Sequence, residues 1–166
     1  MHRLEGTYSD SSGNYSCSLM IEGGEPFVVL NLEKYWDLND RSGEHCDFVY
    51  ICEKDDIWYV FVVELKDIKK LPKDKKEIEN FRESIRNKFG NSLKFIEKDL
   101  LDFLIKSFHQ RRIRVEYRCI LAVDWSVYSE ISALFRQHDR PLIKPSYIPK
   151  SGTINLNIKG CDEKIW

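Results

Sequence analysis

Apolar and polar positions along the chain mark out a strand, a charged turn and a second strand near its middle. Cys46 to Cys52 is apolar and β-branched or aromatic at most positions, Glu53-Lys54-Asp55-Asp56 is wholly charged, and Ile57 to Leu65 is apolar again up to Glu64. That composition predicts two strands joined by an exposed turn. Side chains in a strand alternate between faces, so Trp58, Val60, Val62, Glu64 and Lys66 share one face and Asp47, Val49 and Ile51 share one on the first strand. Two registers suit the turn: Cys52 opposite Ile57, or Lys54 opposite Ile57. Both set Asp47 on the face of Glu64 and Lys66, with Val62 across from it in the first and Glu64 in the second. Either is close enough for two carboxylates to share one ion.

The rest of the chain continues in segments. Residues 15–21 and 26–32 are apolar-rich and split by Gly23-Gly24, which predicts an N-terminal β-hairpin. Leu38 to Gly43 reads as a polar loop. After Lys66 a lysine-rich connection runs from Asp67 to Lys76, interrupted by Pro72. Ile78, Phe81, Ile85 and Phe89 then recur at helical spacing, and Gly90 is a plausible stop. A second apolar stripe runs from Phe95 to Phe108. Residues 113–123 read as a strand that becomes fully buried, and the crossover from the Glu64 strand is long enough for a parallel pair. A helix is expected over 126–137, a proline-bearing loop over 139–152 and an edge strand over 153–158. No repeat or low-complexity segment interrupts this order.

Charge is costly where this pattern puts it. Val60-Phe61-Val62-Val63 is apolar without a break, so its strand is expected to be buried on both faces. An ionised Glu64 and Lys66 at its far end must be paired, metal-bound or at the rim of a cleft. A plain strand-end salt bridge would satisfy Glu64 and Lys66 alone. Asp47 on the same face of the neighbouring strand makes a site the better reading.

Composition bounds the possibilities. A chain of 166 residues is expected to form one domain over 1–166 with a sizeable core. No apolar run approaches the roughly 20 residues of a membrane helix, and Met1 to Glu5 has no signal-peptide character. The five cysteines are odd in number and include no C-x-x-C pair, which predicts no disulfide framework and a reducing, cytoplasmic location. The net charge of −1 excludes a globally basic nucleic-acid binder, so any such contact must be local. Two basic stretches could meet phosphates. One is Lys66, Lys69, Lys70, Lys73, Lys75 and Lys76, with Lys69 and Lys70 nearest the strand end; the other is His109, Arg111, Arg112, Arg114 and Arg118. Zinc is a poor fit, because His45, Cys46 and Cys52 form no compact ligand pair. Cys46 and Cys52 are expected on the face opposite Asp47, as packing residues. There is no P-loop, no dinucleotide fingerprint and no serine or cysteine nucleophile motif.

Asp47, 17 residues before Glu64-Leu65-Lys66 at the end of an apolar strand, resembles the PD-(D/E)XK nuclease superfamily. The resemblance covers about residues 43–124, and Cys46 stands where the family name has Pro. It implies an α/β, restriction-endonuclease-like mixed β-sheet flanked by helices, with the N-terminal hairpin as an addition. It implies an Mg²⁺-dependent nuclease, with Mn²⁺ able to substitute, that hydrolyses phosphodiester bonds in DNA, as an endonuclease rather than an exonuclease. Asp47, Glu64 and the Leu65 carbonyl would hold the metal, and Lys66 would act on the attacking water. Many members add an acidic residue from an N-terminal helix; Glu22, Glu33 and Glu44 are candidates here, and none stands on a clear helix. A homodimer would suit cleavage of both strands. The alternative is a catalytically inactive nuclease-fold subunit for nucleic-acid binding or assembly.

Overall fold

The computed structural model describes residues 2–10, 13–66, 71–108, 113–135 and 144–165. It is a mixed α/β structure with two mixed sheets. The larger sheet has the strand order β3 (Pro26–Asn31), β4 (Phe48–Lys54), β5 (Ile57–Lys66), β6 (Arg114–Val123) and β7 (Thr153–Gly160). The first three run antiparallel in sequence, and β6 and β7 continue parallel to β5. The smaller sheet is β1 (His2–Asp10), β2 (Gly13–Ile21) and β8 (Glu163–Ile165), with β8 parallel to β2.

The turn between β4 and β5 settles the register. Lys54 pairs with Ile57, so Asp55 and Asp56 form a two-residue loop, and both have positive φ, 53° and 60°. Turns of that kind follow the right-handed twist of the strands they join, and Asp tolerates the left-handed region better than most residues. The same register pairs Phe48 with Val63 at the other end of the hairpin.

The five-stranded sheet divides two cores. Val49, Ile51, Trp58, Val60, Val62, Tyr117, Cys119 and Leu121 point to one side, against the helices. Tyr50, Cys52, Phe61, Val63, Leu65, Ile120 and Ala122 point to the other, against Leu4, Cys17, Leu19 and Ile21 of the small sheet. Helices therefore cover one face of the sheet, and the small sheet covers the other. The small sheet exists because residues 15–21 and 26–32 do not pair with each other. β2 pairs with β1 and β8, while β3 pairs with β4. Alternation marks a strand and its buried face but says nothing about which strand is its neighbour.

The helical layer also departs from expectation. β3 ends at Asn31, whose side chain accepts the Lys34 N–H at 3.0 Å and caps helix α1 (Leu32–Leu38). Helix α2 (Lys75–Phe95) runs straight through Gly90, then through a single π-helical stretch, Ile96–Leu100, into α3 (Leu101–Ser107). Gly90 ends nothing. A Cβ at that position would lie 1.9 Å from Ser146 Oγ and 2.8 Å from the Tyr147 backbone nitrogen, so glycine is there to let the 144–152 segment close on the helix. After β6, Asp124 accepts the Ser126 N–H at 2.9 Å and caps a 3₁₀ turn that leads into α4 (Tyr128–Phe135).

Cys17 and Cys161 form a disulfide across 144 residues of sequence, contrary to the expectation from cysteine count and spacing. The parallel pairing of β2 with β8 brings the two residues together, which no local spacing encodes. The bond removes the cysteine argument for a reducing compartment. Cys46, Cys52 and Cys119 are free and buried. No described helix is long and apolar enough to cross a membrane.

Candidate active site

Asp47 sits one residue before β4, and its bonds straddle Glu64. Its N–H donates to the Val63 carbonyl at 2.9 Å, and its Oδ2 accepts the Leu65 N–H at 2.7 Å. The residues on either side of Glu64 thus fix both the backbone and the carboxylate of Asp47. The Leu32 N–H donates in turn to the Asp47 carbonyl at 2.9 Å, tying the segment to the start of α1.

Glu64 is 1% exposed, among the most deeply buried charged side chains described. Its Oε1 meets Lys66 Nζ at 3.3 Å and Lys88 Nζ at 2.6 Å. Its Oε2 is buried and has no hydrogen-bond partner among the described residues. Burial pushes the Glu64 carboxyl above its ordinary value, and the Asp47 charge pushes it further; Lys88 and Lys66 pull it back without reversing the shift. Lys88 is raised as well: its own burial acts against the charged form, and the Glu64 charge and hydrogen bond outweigh that.

Helix α2 holds this arrangement through one polar edge. Ser84 Oγ donates to Glu44 Oε1 at 2.7 Å, and Asn91 Nδ2 donates to the Glu44 carbonyl at 2.8 Å. The Cys46 N–H donates to Ser92 Oγ at 2.8 Å. Ser84, Lys88, Asn91 and Ser92 recur at helical spacing, so one strip of α2 holds Glu44, Cys46 and Glu64 together. Cys46 consequently packs on the helix side, with Val49 and Phe89, while Cys52 packs on the small-sheet side. The two were expected together on the face opposite Asp47. Strict alternation fails for Cys46 because it lies outside the strand, where the chain bends.

Asp47, Glu64 and Lys66 are therefore brought to one end of β5, on the helix side of the sheet. Lys88 joins them and was missed. Its signal was present in the sequence: it falls between Ile85 and Phe89 on the stripe that α2 buries, where a lysine needs a partner. Lys69 and Lys70 lie outside the described residues, as do His109, Arg111 and Arg112. Lys73, Lys75 and Lys76 are exposed before and within the first turn of α2. Of the arginine stretch, Arg118 does not face the site. Arg118 bonds Glu116 at 3.2 Å and lies over Tyr59 and Phe61, on the small-sheet side.

The donor set suits a hard divalent cation. Asp47 and Glu64 supply carboxylates, and Glu64 Oε2 is an acceptor with an unmet demand. In an extended strand the N–H and C=O of one residue leave on the same edge, so the Leu65 carbonyl points to the side where its N–H meets Asp47. No third acidic side chain completes the set: among the described residues no group of three or more His, Cys, Asp or Glu side chains is gathered. Glu22 is paired with Lys164 at 3.2 Å, Glu33 is in the first turn of α1, and Glu44 is held by Ser84. The chain matches no family model, no curated protein and no solved structure.

Proposed function

We propose that the chain is a metal-dependent nuclease of restriction-endonuclease-like fold that hydrolyses phosphodiester bonds in DNA. The observation that carries the reading is Asp47 bonded astride Glu64, with Lys66 on the same carboxylate at the end of a buried strand. The order of antiparallel β3, β4 and β5, helix α2 and parallel β6 supports the fold part of the reading.

Asp47, Glu64 and the Leu65 carbonyl would hold Mg²⁺ or Mn²⁺. When bound, such an ion supplies Lewis acidity and offsets charge on a phosphate. Lys66 is half-buried and anchored by Glu64; its ammonium would hydrogen-bond an attacking water and the charge that grows on the phosphate oxygens. The Asp47–Leu65 hydrogen bond keeps one carboxylate oxygen fixed beside Glu64. Lys69, Lys70, Lys73, Lys75 and Lys76 would meet phosphates along the strand and add affinity without sequence specificity.

The test is cleavage of a panel of duplex, single-stranded and branched DNA and of RNA, with Mg²⁺ and with chelator. Metal-dependent cleavage by the parent, lost by orders of magnitude in Lys66→Ala at saturating DNA, is the expected result. Parent-like rates in Lys66→Ala would remove Lys66 from the chemistry. A second reading, an inactive nuclease-fold subunit, is favoured by one feature: Lys88 and Lys66 already pair with the Glu64 carboxylate. It predicts DNA binding without cleavage on every substrate.

A further inference from the structure

We infer that Lys88 is a resident counter-ion that occupies the Glu64 carboxylate and is displaced by a divalent cation, so that it sets the affinity of the site for metal. This rests on the proposed nuclease reading and adds to it a competitor built into α2.

Glu64 is served unevenly. Two ammonium groups crowd Oε1, at 2.6 and 3.3 Å, while buried Oε2 has no partner among the described residues. Lys88 is the closer of the two. The formal charges of Asp47, Glu64, Lys66 and Lys88 sum to zero. A divalent cation added to that set would leave two uncompensated positive charges in a largely desolvated place. Repulsion at such range is strong, because like charges a few ångströms apart are poorly screened where water is largely excluded.

The four groups differ in their freedom to move. Asp47 is pinned by Leu65, and Glu64 is enclosed. Lys88 has a flexible four-carbon stem and a side chain 19% exposed, so its ammonium can swing to solvent or to a phosphate. Its departure would leave Oε1 beside Oε2 and Asp47, which is an opening for a cation.

The experiment uses the intact chain, calorimetric titration with Mn²⁺ alone, and melting with and without Mn²⁺. Lys88→Met removes the charge and keeps most of the stem; Lys88→Gln is the second variant if methionine does not fold. Either is expected to bind Mn²⁺ at least about ten-fold more tightly than the parent, or about 1.4 kcal/mol. Either should melt lower without metal and gain more from saturating Mn²⁺. Lys88→Arg keeps the charge and should bind no more tightly than the parent. A structural role alone would lower the melting temperature and leave the Mn²⁺ affinity unchanged. If parent binding depends on Asp47 and both neutral variants keep the parent affinity, the counter-ion role is overturned and the nuclease reading stands. If neither parent nor neutral variants bind Mn²⁺ in a way that Asp47→Asn abolishes, both readings fall.

Discussion

Asp47 accepts a hydrogen bond from the backbone N–H of Leu65 at 2.7 Å, so a side chain from one strand closes the ladder at the end of the next. The contact does two things at once. It satisfies a buried amide, and it aims a carboxylate across Glu64. The two tasks respond differently to substitution.

Asp47→Asn keeps an oxygen that can accept the Leu65 N–H and removes the charge. It should stay within about 1 kcal/mol of the parent in urea unfolding and lose Mn²⁺ binding. Asp47→Ala leaves the amide without its acceptor and should cost about 1–3 kcal/mol. Equal stability of the two variants would mean that the hydrogen bond contributes little. Retained Mn²⁺ affinity in Asp47→Asn would remove Asp47 as a ligand.

The Glu64 carboxyl is raised above its ordinary 4.5 by burial first and by Asp47 second. A carboxyl with a higher value in the folded state binds more protons folded than unfolded between the two values. Its contribution to stability is full below 4.5 and is lost as pH rises through the folded value. Asp47→Asn removes one of the raising causes, so the Glu64 transition should move down. Lys88→Met removes a lowering cause and should move it up. Carbon-13 titration of the Glu64 carboxyl reads both. A downward move in Lys88→Met would contradict the 2.6 Å ion pair.

Gly90→Ala sets helix propensity against packing. On propensity alone, alanine in a helix interior gains about 1 kcal/mol over glycine. The added Cβ meets the Tyr147 backbone nitrogen at 2.8 Å, and backbone cannot rotate away as the Ser146 hydroxyl can. Net destabilisation of about 1–3 kcal/mol is expected. A more stable Gly90→Ala variant in chemical denaturation would show that the 144–152 segment yields easily.

Reduction of the Cys17–Cys161 bond should lower stability by about 2–5 kcal/mol, because it closes a long loop and tethers the small sheet to the end of β7. Melting with and without a thiol reductant measures this, and the Cys17→Ser, Cys161→Ser double variant should match the reduced parent. A melting temperature indifferent to reductant would show that β2, β8 and the main sheet hold together without the bond.

The β4–β5 hairpin, the parallel β6 strand, a helix soon after residue 126 and the common face of Asp47, Glu64 and Lys66 were legible in the chain. Each depends on alternation, helical spacing or capping within a short window, and those signals act over neighbouring residues. Of the two registers the residues allowed, the one pairing Lys54 with Ile57 is the one adopted, by a turn whose two aspartates both take positive φ. What tertiary structure alone decided depends on contacts between distant segments. β2 left β3 for β1 and β8, because strand pattern is silent about partners. Gly90 is needed by Ser146 and Tyr147, more than fifty residues on, so its meaning as a local stop was lost. Cys17 found Cys161 only through the pairing of β2 with β8. Lys88 joined Glu64 because α2 packs on the helix side of β5 and turns its buried stripe toward the strand end, where burial of a charge demands a partner of opposite sign.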